Sequence, residues 1–597
     1  MKRVLSYITA AFKDDLFKIL TIVLSLKAAW FSHITWIGPD SFFPAFGAVL
    51  IALAPLLLLK GNRIRLVYAI SIDVVFSLDL FSQALYFKYF NDFASFYNLV
   101  YIGQLAHVPG AVFSLIGLKQ ALFVLDLIAF PFIAIRLKKA RVSTASGPGR
   151  PRAAVFTAML LLGLFFNTAA MTVDMRLHAN FLGAMFDRRV VSSQIGVINY
   201  ELMDFYSYIT AEAGRMNVSK SDLATVTGWM NGKKQDHDKS FLAGAGKGMD
   251  LILLQVESMQ NFAIGLKFHG QEITPNLNRL AEKGVVFTNF YDETAAGNSS
   301  DATFLANASL YPAKEGVAAF RYADDLFDSL PKALEANGYK TAVMEPYNKN
   351  YWNYDTFDRA LGFQRQYYED ELRGVKKGPM MQDNPFFARA LQLLPGIGVP
   401  FYAMLRTVSS HSPFTYVTKE MDAFPLYELE GSRIGNYLRS IHYADAAIGE
   451  FLDGLEKQGL LDKTVIIVYG DHRARLTAAE LKSAGVADMA ELRKIPLIIY
   501  VPHLKHTGKN AIVESTAGGL VDVAPTACSI LGISTRDRHF MGRDLGEGGP
   551  GYAVFRDGSY LPEDGNFDSV SARRQLAISD LILGKDMMRV MQKAGVR

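Results

Sequence analysis

The sequence predicts two unlike halves: an N-terminal polytopic α-helical membrane domain with five transmembrane helices, then an α/β domain on a mainly parallel sheet. Three observations predict this. Half of the 597 residues are apolar and only 20% are charged, with the apolar excess gathered before about residue 175. From Met249 onward, short strand-like runs alternate with helical stretches, the order expected of a parallel sheet with helical crossovers. Leu251–Val256, Pro400–Leu405 and Thr464–Tyr469 are continuously apolar, as in strands buried on both faces.

The membrane half rests on five hydrophobic segments, at residues 17–37, 42–59, 66–87, 111–135 and 153–171. Each has about the length needed to cross the apolar core of a bilayer. Lys2, Arg3, Lys13 and Lys18 precede the first segment; Lys60, Arg63 and Arg65 follow the second. Arg136, Lys138, Lys139, Arg141, Arg150 and Arg152 separate the fourth from the fifth, whereas residues 38–41 and 88–110 carry far fewer cations. The positive-inside rule then places the N-terminus in the cytoplasm, and five crossings put everything after about residue 172 outside the cytoplasmic membrane. Trp30, Trp36, Phe42 and Phe43 fall where an aromatic belt would lie. Asp73, Asp79 and Asp126 interrupt apolar segments and are expected to pack between helices. Residues 1–175 are therefore read as membrane domain, 176–248 as linker helices and 249–597 as the extracytoplasmic catalytic domain.

A formal net charge of +4 gives no case for a nucleic-acid partner. A single cysteine, Cys528, excludes an internal disulfide framework.

In parallel sheets, ligands bind beyond the carboxyl ends of the strands. There this sequence places chemistry. Leu251–Val256 runs into Glu257, Pro400–Leu405 leads to His411, and Thr464–Tyr469 stops at Gly470-Asp471-His472. Two carboxylates and an imidazole can hold one divalent ion such as Mn2+ or Zn2+. Between strands lies Gly297-Asn-Ser-Ser-Asp-Ala-Thr-Phe304, whose small hydroxylic residues fit a helix start. A hydroxyl there meets the positive end of the helix dipole, which favours a phosphate or a developing alkoxide. A serine oxygen of this stretch, on Ser299 or Ser300, beside such an ion, is the candidate nucleophile. His269, His442, His503 and His506 are read as surface or core histidines, and Asp522 as a helix cap.

Seven motifs carry a family resemblance: Val256-Glu-Ser-Met-Gln260, Thr274-Pro-Asn-Leu-Asn-Arg-Leu280, Gly297-Asn-Ser-Ser-Asp301, Ser309-Leu-Tyr311, His411-Ser-Pro-Phe414, Tyr469-Gly-Asp-His472 and Val521-Asp-Val-Ala-Pro-Thr526. In this order they resemble the lipoteichoic acid synthase and phosphoglycerol transferase family, which has five transmembrane helices and a sulfatase-like α/β domain. The resemblance implies that Glu257, Asp471 and His472, with Ser299, bind one metal, Mn2+ with Mg2+ or Zn2+ as alternatives. It implies that Ser299 stands where the family has a catalytic threonine, and that His411 and Trp352 contact substrate. It implies phosphatidylglycerol or a related phospholipid as donor and a glycan or glycerolphosphate hydroxyl as acceptor. Tyr354 stands where the family has an arginine, which removes one phosphate contact and leaves Lys349 or Arg359 as substitutes. Two other readings stay open: a phosphoethanolamine transferase or phosphodiesterase on the same scaffold, and a non-catalytic membrane sensor. Sulfate ester hydrolysis is disfavoured, because Ser299-Ser-Asp-Ala-Thr303 has neither the proline nor the arginine of the formylglycine motif.

Overall fold

A computed structural model describes residues 2–90, 93–96, 116–128, 152–177, 188–232, 239–314, 316–372, 381–504, 511–562 and 567–595. The chain divides into two compact units, Met1–Thr210 and Ala211–Arg597.

The first unit is helical: α1 (Lys2–Ala11), α2 (Asp15–Thr35), α3 (Phe42–Leu53), α4 (Asn62–Phe90), α5 (Arg152–Leu177) and α6 (Val197–Met216, which runs past the boundary). Among the described residues, two helices are long and apolar enough to cross a membrane, Asp15–Thr35 and Pro39–Leu57. The expected third segment, 66–87, lies within α4, with Asp73 and Asp79 inside it and Arg63, Arg65 and Lys88 at the helix ends. The apolar part of α5 is shorter, Arg152–Thr168. Much of the expected fourth segment, residues 111–115 and 129–135, lies outside the described residues. Asp73 and Asp126, expected to pack between helices, share the buried Lys27 ammonium at 2.9 and 2.5 Å. Arg65 pairs with Asp14, which also caps α2 through the Phe17 amide.

The second unit is built on an eight-stranded sheet. In chain order its strands are β1 (Asp250–Val256), β2 (Val285–Phe287), β3 (Lys340–Met344), β4 (Arg365–Tyr367), β5 (Phe401–Arg406), β6 (Thr464–Gly470), β7 (Leu497–Tyr500) and β8 (Ile512–Glu514). They lie side by side as β8-β2-β7-β6-β1-β5-β3-β4. Only β7 runs against its neighbours, so the sheet is mainly parallel, as expected. Every residue of β1, β5 and β6 is buried, which explains their unbroken apolar runs. Helices α7 (Pro275–Glu282), α8 (Ser299–Ala308), α9 (Tyr354–Leu361), α10 (Asp383–Leu393) and α11 (Arg433–Lys457) complete the frame around this sheet. Tyr437, Leu438 and Ile441 of α11 and Phe386 of α10 enter the same core as Ile252, Leu254 and Ile466.

The stretch expected as linker helices does not end at the α/β boundary. Residues 211–248 belong to the second unit. The amides of Gly244 and Gly246 donate to the Ser529 and Ile530 carbonyls at 2.8 Å, and Phe241 donates to Gly546 at 3.0 Å. Lys220–Gly232 packs on Ser569–Gly584, and Lys585 there reaches Asp222 at 2.6 Å. Backbone groups in a polar, glycine-rich stretch need partners wherever they are covered, and this segment finds them within the second unit.

Candidate active site

Sheet order explains how the site assembles. β1 lies between β5 and β6, so the residues just beyond the three carboxyl ends become neighbours. The Asp471 amide donates to the Val256 carbonyl (3.1 Å) and the Thr407 amide to Gln255 (3.0 Å), which carries the ladder past the strand ends. Glu257 is then fixed on both sides: its amide takes the Thr407 hydroxyl as acceptor at 3.0 Å, and its carbonyl accepts from Ser410 at 2.6 Å.

Glu257, Asp471 and His472 offer ligand atoms that all lie within 4.8 Å of one another. Nε2 of His472 is 3.3 Å from Glu257 Oε1 and 3.6 Å from Asp471 Oδ2. Nδ1 of His472 donates to the Arg473 carbonyl at 3.0 Å, which leaves Nε2 to face the two carboxylates. Asp471 Oδ1 accepts from the amides of Ser258 (2.6 Å) and His472 (2.7 Å), while the buried Oδ2 has no hydrogen-bond partner. Ser299 Oγ donates to Glu257 Oε2 at 3.0 Å, and Ser258 Oγ donates to Oε1 at 2.7 Å. Two hard carboxylates, one imidazole with its outer nitrogen anchored, and one orphaned oxygen fit a divalent ion.

The electrostatics agree. Burial alone would raise the Glu257 carboxyl, but the His472 and His411 charges outweigh it and hold that group well below the usual range. Burial, reinforced by Glu257, pushes Asp471 well above its ordinary value, although the Ser299 hydroxyl nearby favours the charged form. Burial would lower His472, yet the two carboxylates raise it to about 10. A positive charge belongs at this spot.

Ser299 is the first residue of α8, a helix whose every residue is buried. Gln255 anchors that helix to the sheet: its Nε2 donates to the Ser299 carbonyl (3.1 Å), and its Oε1 accepts from Thr303 (3.1 Å) and Tyr469 (3.0 Å). Ser300, the second hydroxyl considered, instead donates to the Gly297 carbonyl at 2.9 Å. Asp301 accepts from the Ala295 and Gly297 amides and closes the turn before α8; burial pushes its carboxyl up to about 6.

His411 lies near enough to Glu257 for its charge to be felt there. Its Nδ1 donates to the Ser412 carbonyl at 2.6 Å, and Nε2 sits 3.5 Å from the Tyr351 hydroxyl. Trp352, next to Tyr351, is buried with its ring 6.3 Å from Phe320 and 5.8 Å from Tyr351. Tyr354 is buried too, with the Arg406 guanidinium 3.7 Å above its ring. Arg359, one of the two cations considered as a substitute, is held by Asp355 one turn back.

Sequence reasoning missed Gln255 and Arg406. Gln255 is the one polar residue between the ends of β1, and that interruption of an apolar run was its signal. Arg406 closes the apolar run of β5 and is 2% exposed, bonded to Asp358 at 2.7 and 3.1 Å and to Glu345 at 2.6 Å. Burial, with Asp358 beside it, pushes the Glu345 carboxyl up to about 8 despite the guanidinium.

His269 and His442 pair with Glu428 and Asp422 away from this cluster. Asp522, read as a helix cap, precedes the helix Val523–Ile530 without a side-chain capping bond to it; its carboxylate accepts instead from the Gly519 and Arg543 amides. His506 lies outside the described residues.

Residues 249–533, which hold this sheet and donor set, match the family model for sulfatases. Residues 1–217 match the lipoteichoic acid synthase N-terminal domain. Lipoteichoic acid synthase 2 of Bacillus subtilis (strain 168) is 28% identical over 582 residues, covering 90% of this chain and 87% of its own. Lipoteichoic acid synthase of Staphylococcus aureus (strain USA300) is 28% identical over 510 residues, covering 81% and 76%. Among solved structures, the lipoteichoic acid synthase LtaP from Listeria monocytogenes aligns with a TM-score of 0.53 at 25% identity, covering 62% of this chain and 98% of its own. By these matches the chain is similar to lipoteichoic acid synthases along most of its length, with a sulfatase-like region at residues 249–533.

Proposed function

We propose that this protein is a membrane-bound phosphoglycerol transferase that moves glycerol phosphate from phosphatidylglycerol to a hydroxyl acceptor, on a glycan or a glycerolphosphate chain. The observation that carries this reading is the Ser299 hydroxyl, 3.0 Å from Glu257 at the N-terminus of a buried helix, beside the converging Asp471 and His472. The named activity of the relatives supports it.

Glu257, Asp471, His472 and the Ser299 oxygen would hold one divalent ion, Mn2+ in our reading. When bound, the ion lowers the pKa of the serine hydroxyl and neutralises charge on the phosphoryl oxygens. Ser299 Oγ attacks phosphorus; the O–P bond forms as the bond from phosphorus to the diacylglycerol oxygen breaks. His411 gives that leaving oxygen a proton while the Ser299 proton passes to solvent, which returns it when Ser299 is released in the second step. The acceptor hydroxyl then attacks the glycerophosphoryl-Ser299 ester, its proton is taken by His411, and Ser299 is regenerated. Trp352 packs the head-group side of the pocket. Gln255 and Thr303 hold the first turn of α8 so that Oγ keeps its aim.

We place residues 1–175 in the cytoplasmic membrane with five crossings and the catalytic domain, residues 249–597, on the outer side, where phospholipid head groups are within reach. The two helices that meet the length and hydropathy needed to cross a membrane support the membrane assignment.

The test uses purified full-length protein with Mn2+ and phosphatidylglycerol carrying a fluorescent acyl chain, beside Ser299→Ala. The reading predicts diacylglycerol release that falls at least about 1000-fold in the variant. Turnover of phosphatidylethanolamine alone would reassign the head group to phosphoethanolamine. No turnover of either lipid would leave a non-catalytic role.

A further inference from the structure

We propose that Arg475 binds the phosphodiester of the donor, and so is a substrate-binding residue of this site. The inference rests on the reading that Ser299 attacks a phosphodiester, and it assigns a cation that neither Tyr354 nor Arg359 supplies.

Arg475 follows β6 in the same loop as Asp471 and His472, and its side chain is exposed. Its Nη2 donates to Asn298 Oδ1 at 2.8 Å, and Asn298 is the residue immediately before Ser299. Both contacting residues have left-handed backbones, φ 53° at Arg475 and 42° at Asn298. Side chains other than glycine adopt that region at a cost, and such strain gathers where the surroundings over-determine a site. Asn298 makes no capping bond to α8 with its side chain, so its amide oxygen serves the guanidinium instead.

The other arginines at this edge are already neutralised. Arg406 is enclosed by Glu345 and Asp358, and Arg473 is held by Asp292 at 2.9 Å. Arg475 makes no ion pair with a described residue, although its guanidinium has further donors beyond the one given to Asn298. Asp471 Oδ2, buried in the same loop without a hydrogen-bond partner, marks where the ion would sit, four residues from Arg475. An ion bound between Asp471 and Glu257 would be matched in charge by those two carboxylates. The phosphodiester arriving at Ser299 then brings negative charge of its own, and a guanidinium fork fits two phosphate oxygens better than a point charge does.

The experiment uses full-length protein in detergent, loaded with Mn2+. Affinity for sn-glycerol 1-phosphate is titrated calorimetrically on Ser299→Ala and on Ser299→Ala combined with Arg475→Gln or Arg475→Lys. Diacylglycerol release from phosphatidylglycerol is followed in the Arg475 single variants, and bound metal is measured in all. We expect Arg475→Gln to weaken glycerol phosphate about 10-fold and to lower kcat/KM by about 10- to 100-fold, with Lys recovering part of each. Metal content stays as in the parent. Affinity and kcat/KM in Arg475→Gln both within about twofold of the parents would overturn the proposal. Loss of metal along with phosphate binding would also overturn it, by showing a structural role through Asn298. If glycerol phosphate binding depends on Arg475 but wild-type protein releases no diacylglycerol, the anion contact stands and the lipid-transfer reading falls.

Discussion

Ser258 shows how much of the site is held by residues that do no chemistry. It adopts a left-handed backbone (φ 53°), which points its amide at Asp471 Oδ1 (2.6 Å) while its hydroxyl donates to Glu257 Oε1 (2.7 Å). One residue thus orients two of the carboxylates proposed to bind metal. Partners of this kind tune affinity without touching the ion. Ser258→Ala keeps the amide contact and loses the hydroxyl, so we predict about 10-fold weaker Mn2+ binding with the fold intact, read by metal titration and thermal unfolding. At this scale legibility in the sequence was uneven. Glu257, Asp471 and His472 could be found because each ends an apolar run. Arg406, Glu345 and Asp358 could not, because their meeting depends on β3 and β5 being neighbours although far apart in the chain. Tyr354 read as a lost cation; in the fold its ring instead packs beneath the buried Arg406.

The elements explain why the site keeps its shape. β6 closes on the loop after β1 at Gly470, where an added Cβ would come within 2.1 Å of the Met259 carbonyl oxygen and 3.0 Å of Pro496. The obstacle is backbone, so it cannot swing aside. Gly470→Ala should cost about 2–3 kcal/mol of stability and displace Asp471 from Glu257, seen as a lower unfolding midpoint and reduced metal content. Retained metal and an unchanged midpoint would show that the loop yields. At the opposite side of β1, Asp383 at the start of α10 holds the chain beyond β5 by accepting from the Val408 and Ser409 amides at 2.9 and 3.1 Å. Burial pushes its carboxyl up from 3.8 to about 6. The folded state therefore holds this proton more tightly than the unfolded chain. Its contribution is fully present below about pH 4 and is lost as pH rises through about 6, an effect of about 3 kcal/mol. Asp383→Asn keeps one oxygen acceptor and removes the titration. We predict a flatter dependence of unfolding free energy on pH between about 4 and 6 in this variant; an unchanged slope would assign the dependence to other groups.

The chain comprises an α/β unit and a helical unit, and the two were unequally visible from sequence. The mainly parallel sheet was legible because buried strands keep continuous apolar runs, as in Leu251–Val256 and Thr464–Gly470. The antiparallel β7 was not, since Leu497–Tyr500 is equally apolar whichever way it runs. Residues 176–248 read as linker from their mixed character and the polar, glycine-containing stretch at 232–248, yet the amides of Phe241, Gly244 and Gly246 are taken up by Gly546, Ser529 and Ile530 far along the chain. In the helical unit the sequence marks five apolar segments, and two of the described helices, Asp15–Thr35 and Pro39–Leu57, are long and apolar enough to cross a membrane. Helix α4 carries charges whose partners, Lys27 for Asp73 and Asp14 for Arg65, appear only in the fold. The central claim is covalent: glycerol phosphate passes through Ser299. It is tested most directly by incubating wild-type full-length protein with Mn2+ and phosphatidylglycerol, quenching in acid, and mapping peptides by mass spectrometry. The account predicts a glycerophosphoryl group on Ser299 in the wild type and on no residue in Ser299→Ala. Diacylglycerol release with Ser299 unmodified, or undiminished in Ser299→Ala, would contradict it.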